Sequence, residues 1–193
     1  APTITVSPNL LLSTQDSTFC TNNNTGSIGN WQTTNVTLTA STDIVPATGD
    51  NVIDNSYTGK VVASISSPVM AISLGADDPI RKGVPVNAST EYLFLSKVRK
   101  PSGSGNVTLN IDWYDKDAEF ISTDSSSAVS ANNTWKSVTA TVTSPSNASY
   151  AVLEFTFSDT GTYYVDQIAV QTSDNADYYE ARAIDIFLNP NKT

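Results

Sequence analysis

Four acidic side chains stand close together between positions 112 and 119 and are the first candidates for chemistry: Asp112, Asp115, Asp117 and Glu119. Such a run suggests either a calcium loop or the paired carboxyl groups of a glycosidase. A glycosidase pair must face each other across a cleft, about 5–10 Å apart, with one group protonated. The segment Asp115-Lys116-Asp117-Ala118 instead has turn composition, and water at a hairpin tip keeps carboxylates ionised. We therefore predict a solvated turn at this position.

The composition excludes most other catalytic chemistry. The chain has no His and one Cys. Without His there is no Ser-His-Asp triad and no imidazole ligand for zinc, and the lone Cys20 can neither close an internal disulfide nor build a thiolate metal site. We predict that this chain is not an enzyme.

The charge balance and hydropathy exclude two kinds of partner. The formal net charge is −9, from 10 Lys and Arg against 19 Asp and Glu. This charge repels phosphate backbones, because nucleic-acid affinity comes largely from clustered cations that release counterions. No apolar run reaches the roughly 18 residues of a membrane span. We expect no nucleic-acid partner and no membrane insertion.

Alternation with period 2 indicates an all-β fold. Val107, Leu109, Ile111 and Trp113 alternate with polar residues, as in a strand with one buried face. Nine short strands imply a β-sandwich jelly roll of two antiparallel sheets. The predicted strands are Thr3–Val6, Val36–Ala40, Lys60–Ile65, Val69–Leu74, Tyr92–Arg99, Val107–Trp113, Val138–Val142, Ala151–Phe157 and Tyr163–Val170.

The chain is predicted to form one jelly-roll module over residues 9–172 with short terminal extensions. Residues 1–8 form an N-terminal extended strand, and residues 173–193 form a C-terminal extension or connector with a short helix over Ala176–Ala183. Residues 100–106 are interpreted as a flexible hairpin loop, and residues 122–133 as a long polar loop, because both are rich in Ser, Gly and Asn.

Several motifs follow one another between Asn9 and Gln171. They are Asn9-Leu10-Leu11, Asp16–Cys20, Gly29-Asn30-Trp31, Val84–Arg99, Val107–Asp115, Trp135–Val138 and Gly161–Ile168. In this order they resemble the jelly-roll carbohydrate-binding modules of families 4, 9, 16 and 22. Similar modules occur in bacteriophage tail and fibre proteins.

The resemblance also implies a structural calcium ion. In such modules the Asp of the Tyr-Val-Asp strand commonly ligates calcium together with the Glu that follows Phe. The Asp corresponds to Asp166, whereas Cys20 stands in place of the Glu. A thiol is a poor ligand for a hard cation, so Asp16 is the substitute oxygen donor. Ca²⁺ is thus the one candidate cofactor, with Asp166 and Asp16 as candidate ligands.

Sugar binding needs aromatic rings beneath pyranose faces, with polar groups nearby to pair the hydroxyls. Trp113 shares the apolar phase of its strand and is predicted to lie in the core. Trp31 and Trp135 fall where the resembled family keeps structural tryptophans. The remaining candidates for a glycan contact are Tyr114 with Asn110 and Asp112 in the polar phase of the same strand, and Tyr57 in a turn. The alternative is that both tyrosines are ordinary half-exposed residues.

Three functions remain open. The first is a non-catalytic phage tail or fibre component, at the virion surface or outside the cell, that contacts glycans or neighbouring structural subunits in a larger assembly. The second is a filament or coat subunit that exchanges a terminal strand, for which Thr3–Val6 and Ile184–Leu188 are suited. The third is a carbohydrate-binding module of a secreted polysaccharide-degrading enzyme.

Overall fold

The computed structural model describes residues 10, 17–20, 25–47, 56–64 and 70–172. The predicted terminal segments 1–8 and 173–193 lie outside the described residues, and so do the strand Thr3–Val6 and the helix Ala176–Ala183. All described residues therefore belong to the predicted jelly-roll module, residues 9–172.

The described part is built mainly of strands, with short helical segments. In chain order the strands are β1 (Trp31–Thr34), β2 (Thr37–Ser41), β3 (Thr58–Ala63), β4 (Ala71–Leu74), β5 (Val84–Pro85), β6 (Glu91–Arg99), β7 (Gly105–Tyr114), β8 (Phe120–Ser125), β9 (Val129–Ala131), β10 (Lys136–Thr143), β11 (Tyr150–Phe157) and β12 (Gly161–Thr172). Helix α1 (Pro79–Lys82) lies between β4 and β5, and its first turn is capped by the Asp78 carboxylate.

Two antiparallel sheets form the sandwich. The seven-stranded sheet has the order β1-β4-β11-β7-β8, with β5 paired to β11 and β9 paired to β7. The five-stranded sheet has the order β10-β6-β12-β3-β2. This arrangement confirms the predicted all-β jelly-roll sandwich.

The core lies between the sheets and follows the period-2 pattern. Val107, Leu109, Ile111 and Trp113 are all fully buried, which confirms the predicted inward phase of β7. Trp113 reaches across to the five-stranded sheet, where its ring and the Phe94 ring pack in a T-shaped arrangement at a centroid distance of 6.0 Å. Its indole N–H donates to the Asp124 carboxylate at 2.7 Å, so the polar atom of this buried ring is satisfied.

The prediction of a long polar loop over residues 122–133 is wrong. Strand β8 and strand β9 occupy much of this segment, and both pair with β7. Their polar composition reflects a position at the edge of the sheet, where half of each strand faces water. Pairing with β7 therefore outweighs the low strand propensity of Asp124.

The connection between β6 and β7 is held in place by a buried lysine. Lys100 is 4% exposed, and its ammonium donates to the Ser104 and Thr160 carbonyls at 2.8 and 3.0 Å and to the Tyr163 hydroxyl at 3.2 Å. It also lies over the Tyr163 ring. The hairpin predicted to be flexible over residues 100–106 is thus fixed at its base, and its last two residues belong to β7.

Replacing the central core tryptophan should destabilise the fold. We expect Trp113→Ala to lower the free energy of unfolding by about 3–5 kcal/mol, because it opens a cavity between the sheets and leaves Asp124 without its donor. Urea unfolding followed by circular dichroism measures the change. The control is Thr139→Ala on the exposed face of β10, which should change the value by less than about 0.5 kcal/mol. Equal effects of the two substitutions would contradict the assignment of Trp113 to the core.

Candidate functional site

The outer face of the seven-stranded sheet gathers three of the four residues predicted to contact a glycan. Asn110, Asp112 and Tyr114 are half-buried and occupy alternate positions of β7, opposite in phase to the core residues. Glu154 and Tyr150 occupy the same phase of the neighbouring strand β11. We call this surface the front face. It consists of these five residues together with Ser73, Phe120, Thr123 and Ser125.

Three aromatic side chains form a row across the front face. Tyr114 lies opposite Tyr150 on one side and opposite Phe120 on the other. The Tyr114 and Phe120 rings meet edge to face at 5.8 Å, and Phe120 is 58% exposed. A register shift between Trp113 and Tyr114 places Phe120 opposite Tyr114, because Ile121 is left over in β8. The bulge thus adds the exposed ring to the row.

A polar row runs parallel to the aromatic one. The Glu154 carboxylate accepts hydrogen bonds from the Ser73 hydroxyl and the Asn110 amide, both at 3.2 Å. The Asn110 side-chain oxygen accepts in turn from Ser125 at 2.8 Å. Between the two rows, the Thr123 hydroxyl donates to Asp112. These bonds join four strands and hold the polar groups in fixed positions while each carboxylate keeps acceptor capacity for a ligand.

The front face is acidic. Asp112 and Glu154 are its charged groups, and none of the strands of the seven-stranded sheet contains Lys or Arg. Burial raises the pKa of Tyr114, and the negative charges of Asp112 and Glu154 raise it further. The Tyr114 phenol therefore stays protonated at neutral pH and is a hydrogen-bond donor among acceptors.

Tyr57 lies apart from the other predicted residues. It immediately precedes β3 of the five-stranded sheet and packs over Gly26, where an added Cβ would come within 2.6 Å of the Tyr57 ring. The structure therefore does not bring Tyr57 to the front face. Close packing against a residue without a side chain explains its position.

Trp31 and Trp135, both expected to be structural, differ in burial. Trp31 is buried in the core and packs against Phe19 and Phe155, as expected for a structural tryptophan. Trp135 is not part of the core. It is half-buried, and its indole N–H donates to the Val45 carbonyl at 3.2 Å.

Sequence reasoning missed Phe120, Tyr150 and Glu154. In β11 apolar residues alternate with Tyr150, Val152, Glu154 and Thr156, and this period-2 pattern could have identified the outward-facing residues of the strand. No comparable signal existed for Phe120, because its position depends on the bulge in β8. The pairing of β11 with β7, which joins the two outer phases, is likewise a tertiary property.

The acidic run after β7 is a turn, as predicted. One Asp115 carboxylate oxygen accepts backbone N–H groups from Asp117 at 2.9 Å and from Glu119 at 3.0 Å. Ala118 adopts a positive φ of 64°, which closes the hairpin. Asp117 and Glu119 are exposed, so these carboxylates have the solvation of a turn and not that of a catalytic pair.

Asp166, the predicted calcium ligand, is 1% exposed on β12. Its two oxygens accept backbone N–H groups from Ala47 at 3.0 Å and Gln167 at 2.8 Å. Burial raises the Asp166 pKa to about 7, although these two bonds act in the opposite direction. Within the described ranges, no three His, Cys, Asp or Glu side chains form a group able to hold a metal ion. Asp16 lies outside the described residues, so the calcium site stays a prediction.

Comparisons with known structures reveal similar folds. The chain resembles the CBM22-1 xylan-binding domain of Paenibacillus barcinonensis Xyn10C, with a TM-score of 0.55, 11% identity, and coverage of 86% of this chain and 92% of that one. It resembles the C-terminal family 22 carbohydrate-binding module of Clostridium thermocellum Xyn10B with a TM-score of 0.53 and 16% identity, covering 81% of this chain and 91% of that one.

Part of a phage protein has a similar fold. The enzymatically active domain of tailspike protein 4 from bacteriophage CBA120 gives a TM-score of 0.58 at 15% identity, and the match covers 84% of this chain but 21% of the tailspike chain. No family model matches the sequence, and no curated protein matches it. The expected likeness to family 22 modules and to phage tail proteins is thus supported at the level of fold, whereas families 4, 9 and 16 receive no support.

The described residues include no helix with the length and apolar character needed to cross a bilayer.

The buried carboxyl of Asp166 should make stability depend on pH. An unfolded Asp titrates near pH 3.9, whereas Asp166 in the folded chain titrates near pH 7. Between these values the folded state binds more protons, so the free energy of unfolding falls as pH rises, by up to about 1.4 kcal/mol per pH unit. Urea unfolding from pH 4.5 to 7.5 in EDTA measures the slope.

The matched variant for this prediction is Asp166→Asn, which cannot ionise and should give a shallower slope over the same range. Identical slopes for the wild type and the variant would contradict the raised pKa of Asp166.

Proposed function

We propose that this chain is a non-catalytic module that binds a polysaccharide on the front face, as part of a secreted polysaccharide-degrading system. The observation that supports it most is the aromatic row Tyr150–Tyr114–Phe120 beside a hydrogen-bonded polar row on one sheet surface. Such a surface offers apolar contacts for sugar rings and acceptors for their hydroxyls at the same time.

The geometry favours a glycan chain that runs across the strands. Adjacent strands lie about 4.8 Å apart, so the three rings cover roughly 10 Å at right angles to the strand direction. The polar row Ser73, Glu154, Asn110 and Ser125 runs the same way. Sugar CH faces would rest on the aromatic rings, and hydroxyls directed along the strands would donate to Asp112 and Glu154.

Xylan is the first ligand to test, because several similar structures are described as xylan-binding domains. Those chains are at most 16% identical to this one, so their ligand is a guide for the experiment. The front face has no cation on its strands, which favours a neutral glycan over an anionic one.

Loss of the aromatic row should weaken binding. We expect Tyr114→Ala and Phe120→Ala each to lower the affinity for xylan about tenfold, because each removes apolar contact with a sugar ring. Affinity electrophoresis and calorimetry measure the change. Tyr57→Ala, which alters a tyrosine away from the front face, is the control and should bind like the wild type. Equal effects of all three substitutions, or no wild-type binding to any of a panel of neutral polysaccharides, would refute the proposal.

A second candidate function is a tail or fibre component of a virion, which the similarity to part of a phage tailspike favours. The two functions differ in the genes expected around this one. A glycoside hydrolase in the same reading frame supports the enzyme-associated module, whereas neighbouring tail and baseplate genes support the virion component. Strand exchange in a filament stays a prediction, because Thr3–Val6 and Ile184–Leu188 lie outside the described residues.

A further inference from the structure

The cations carried by the strands all belong to the five-stranded sheet. They are Lys60 on β3, Lys97 and Arg99 on β6, and Lys136 on β10. The strands of the seven-stranded sheet contain none. In a chain with a net charge of −9, the cations of the described strands are therefore confined to one of the two sheets.

Three of these cations have no acidic partner among the described residues. Of the ten Lys and Arg residues, Arg182 and Lys192 lie outside the described ranges, which leaves eight. Lys100 is buried against carbonyl groups. Four form ion pairs, which are Lys60–Asp43, Arg81–Asp78, Lys82–Asp77 and Lys116–Asp117. The remaining three are Lys97, Arg99 and Lys136.

Two of these cations, Lys97 and Arg99, are neighbours on the outer face of the sheet. Lys97 and Arg99 lie on the outer face of β6 with one residue between them, which puts them about 7 Å apart along the strand. Lys136 on β10 pairs with the intervening Val98, which is buried in the core, so Lys136 belongs to the inward phase at the end of its strand and does not join the other two cations on the outer face. Like charges at this distance repel one another, and neither Lys97 nor Arg99 forms an ion pair with a carboxylate of the described residues. Asp166 lies opposite Lys97 on β12, but it is buried and its oxygens accept the backbone N–H groups of Ala47 and Gln167. An anion bound between these cations would reduce their mutual repulsion.

The two cations on β6 are held by neutral groups that leave donors unused. The Lys97 ammonium donates to the Ser137 hydroxyl at 2.8 Å, and the Arg99 guanidinium donates to the Asn133 side-chain oxygen at 3.0 Å. The Arg99 Nε is buried and has no hydrogen-bond partner. Ammonium and guanidinium groups have three and five N–H donors, so both retain capacity for a ligand.

An aromatic ring completes the cluster. Trp135 directly precedes Lys136, and continuing the β10–β6 register places it opposite Arg99. The hydrogen bond from its indole N–H to the Val45 carbonyl fixes the ring, which is half-buried. A fixed, partly accessible indole beside a guanidinium can contact the apolar face of a sugar while the cations contact a charged substituent.

We propose that Lys97, Arg99 and Trp135, which we call the back patch, bind a polysaccharide that contains uronic acid. The uronate carboxylate contacts Arg99 and Lys97, and the sugar ring rests on Trp135. Nucleic acid fits less well, because nucleic-acid affinity comes from many clustered cations, and this patch offers two. The site lies on the other sheet from the front face, so it does not depend on the function proposed for that face.

The test uses polygalacturonate and its fully methyl-esterified form, which share a backbone and differ in charge. Affinity electrophoresis of the full chain is run in EDTA. We expect retardation by polygalacturonate, about tenfold weaker retardation by the ester, and weaker binding to polygalacturonate at higher salt. The double variant Lys97→Gln and Arg99→Gln should lose at least tenfold in affinity for polygalacturonate.

Two further variants separate the back patch from the front face and from loss of folding. Tyr114→Ala should bind polygalacturonate like the wild type, even where it loses a neutral glycan. Trp135→Phe should bind more tightly than Trp135→Ala, with both variants unfolding near the wild-type temperature.

Three results would overturn the proposal. One is a wild type that polygalacturonate does not retard, or that both polymers retard equally. Another is unchanged binding in the double variant. The third is self-association, seen by light scattering and abolished by salt and by Arg99→Gln, which would assign the back patch to the acidic front face of a second copy.

Discussion

The packing of Trp113 between the two sheets is the contact on which the other features depend. Its ring lies against Phe94 of the opposite sheet, and the residues two, four and six positions before it are fully buried beside it. Once this phase of β7 is fixed in the core, the pleat of a strand sends Asn110, Asp112 and Tyr114 to the opposite surface. A slip of one residue would bury the polar set and expose the apolar one, so core packing and the front face are set by the same constraint.

The front face also depends on how β7 is paired. Strand β11 lies on one side in a continuous register over eight residues, which aligns Glu154 with Asn110 and Tyr150 with Tyr114. Strand β8 lies on the other side with a register shift, which brings Phe120 opposite Tyr114. Continuous pairing thus builds the polar row, and the local irregularity supplies the most exposed ring. This combination is common where a sheet presents side chains to a ligand.

The distribution of charge separates the two outer surfaces. Carboxylates without cations on the seven-stranded sheet suit hydroxyl groups as ligands, whereas the unpaired cations near Trp135 suit a carboxylate. The asymmetry is independent of the core, because all of these residues lie in the outward phase or at strand ends. A sandwich of this kind can therefore present two surfaces of different chemistry on one scaffold.

The sequence by itself determined the fold class, the inward phase of β7 and the solvated turn at Asp115, because these follow from local alternation and turn composition. It also excluded nucleophile and base pairs that need His, because the chain has none. Only the tertiary structure decided that Phe120, Tyr150 and Glu154 join Tyr114, that Tyr57 does not, and that the pairing of β10 with β6 brings Trp135 level with Arg99. The reason is physical: alternation fixes which side of its own strand a residue occupies, whereas neighbours across a sheet are fixed by register and strand order. Those are set by contacts between residues far apart in the chain.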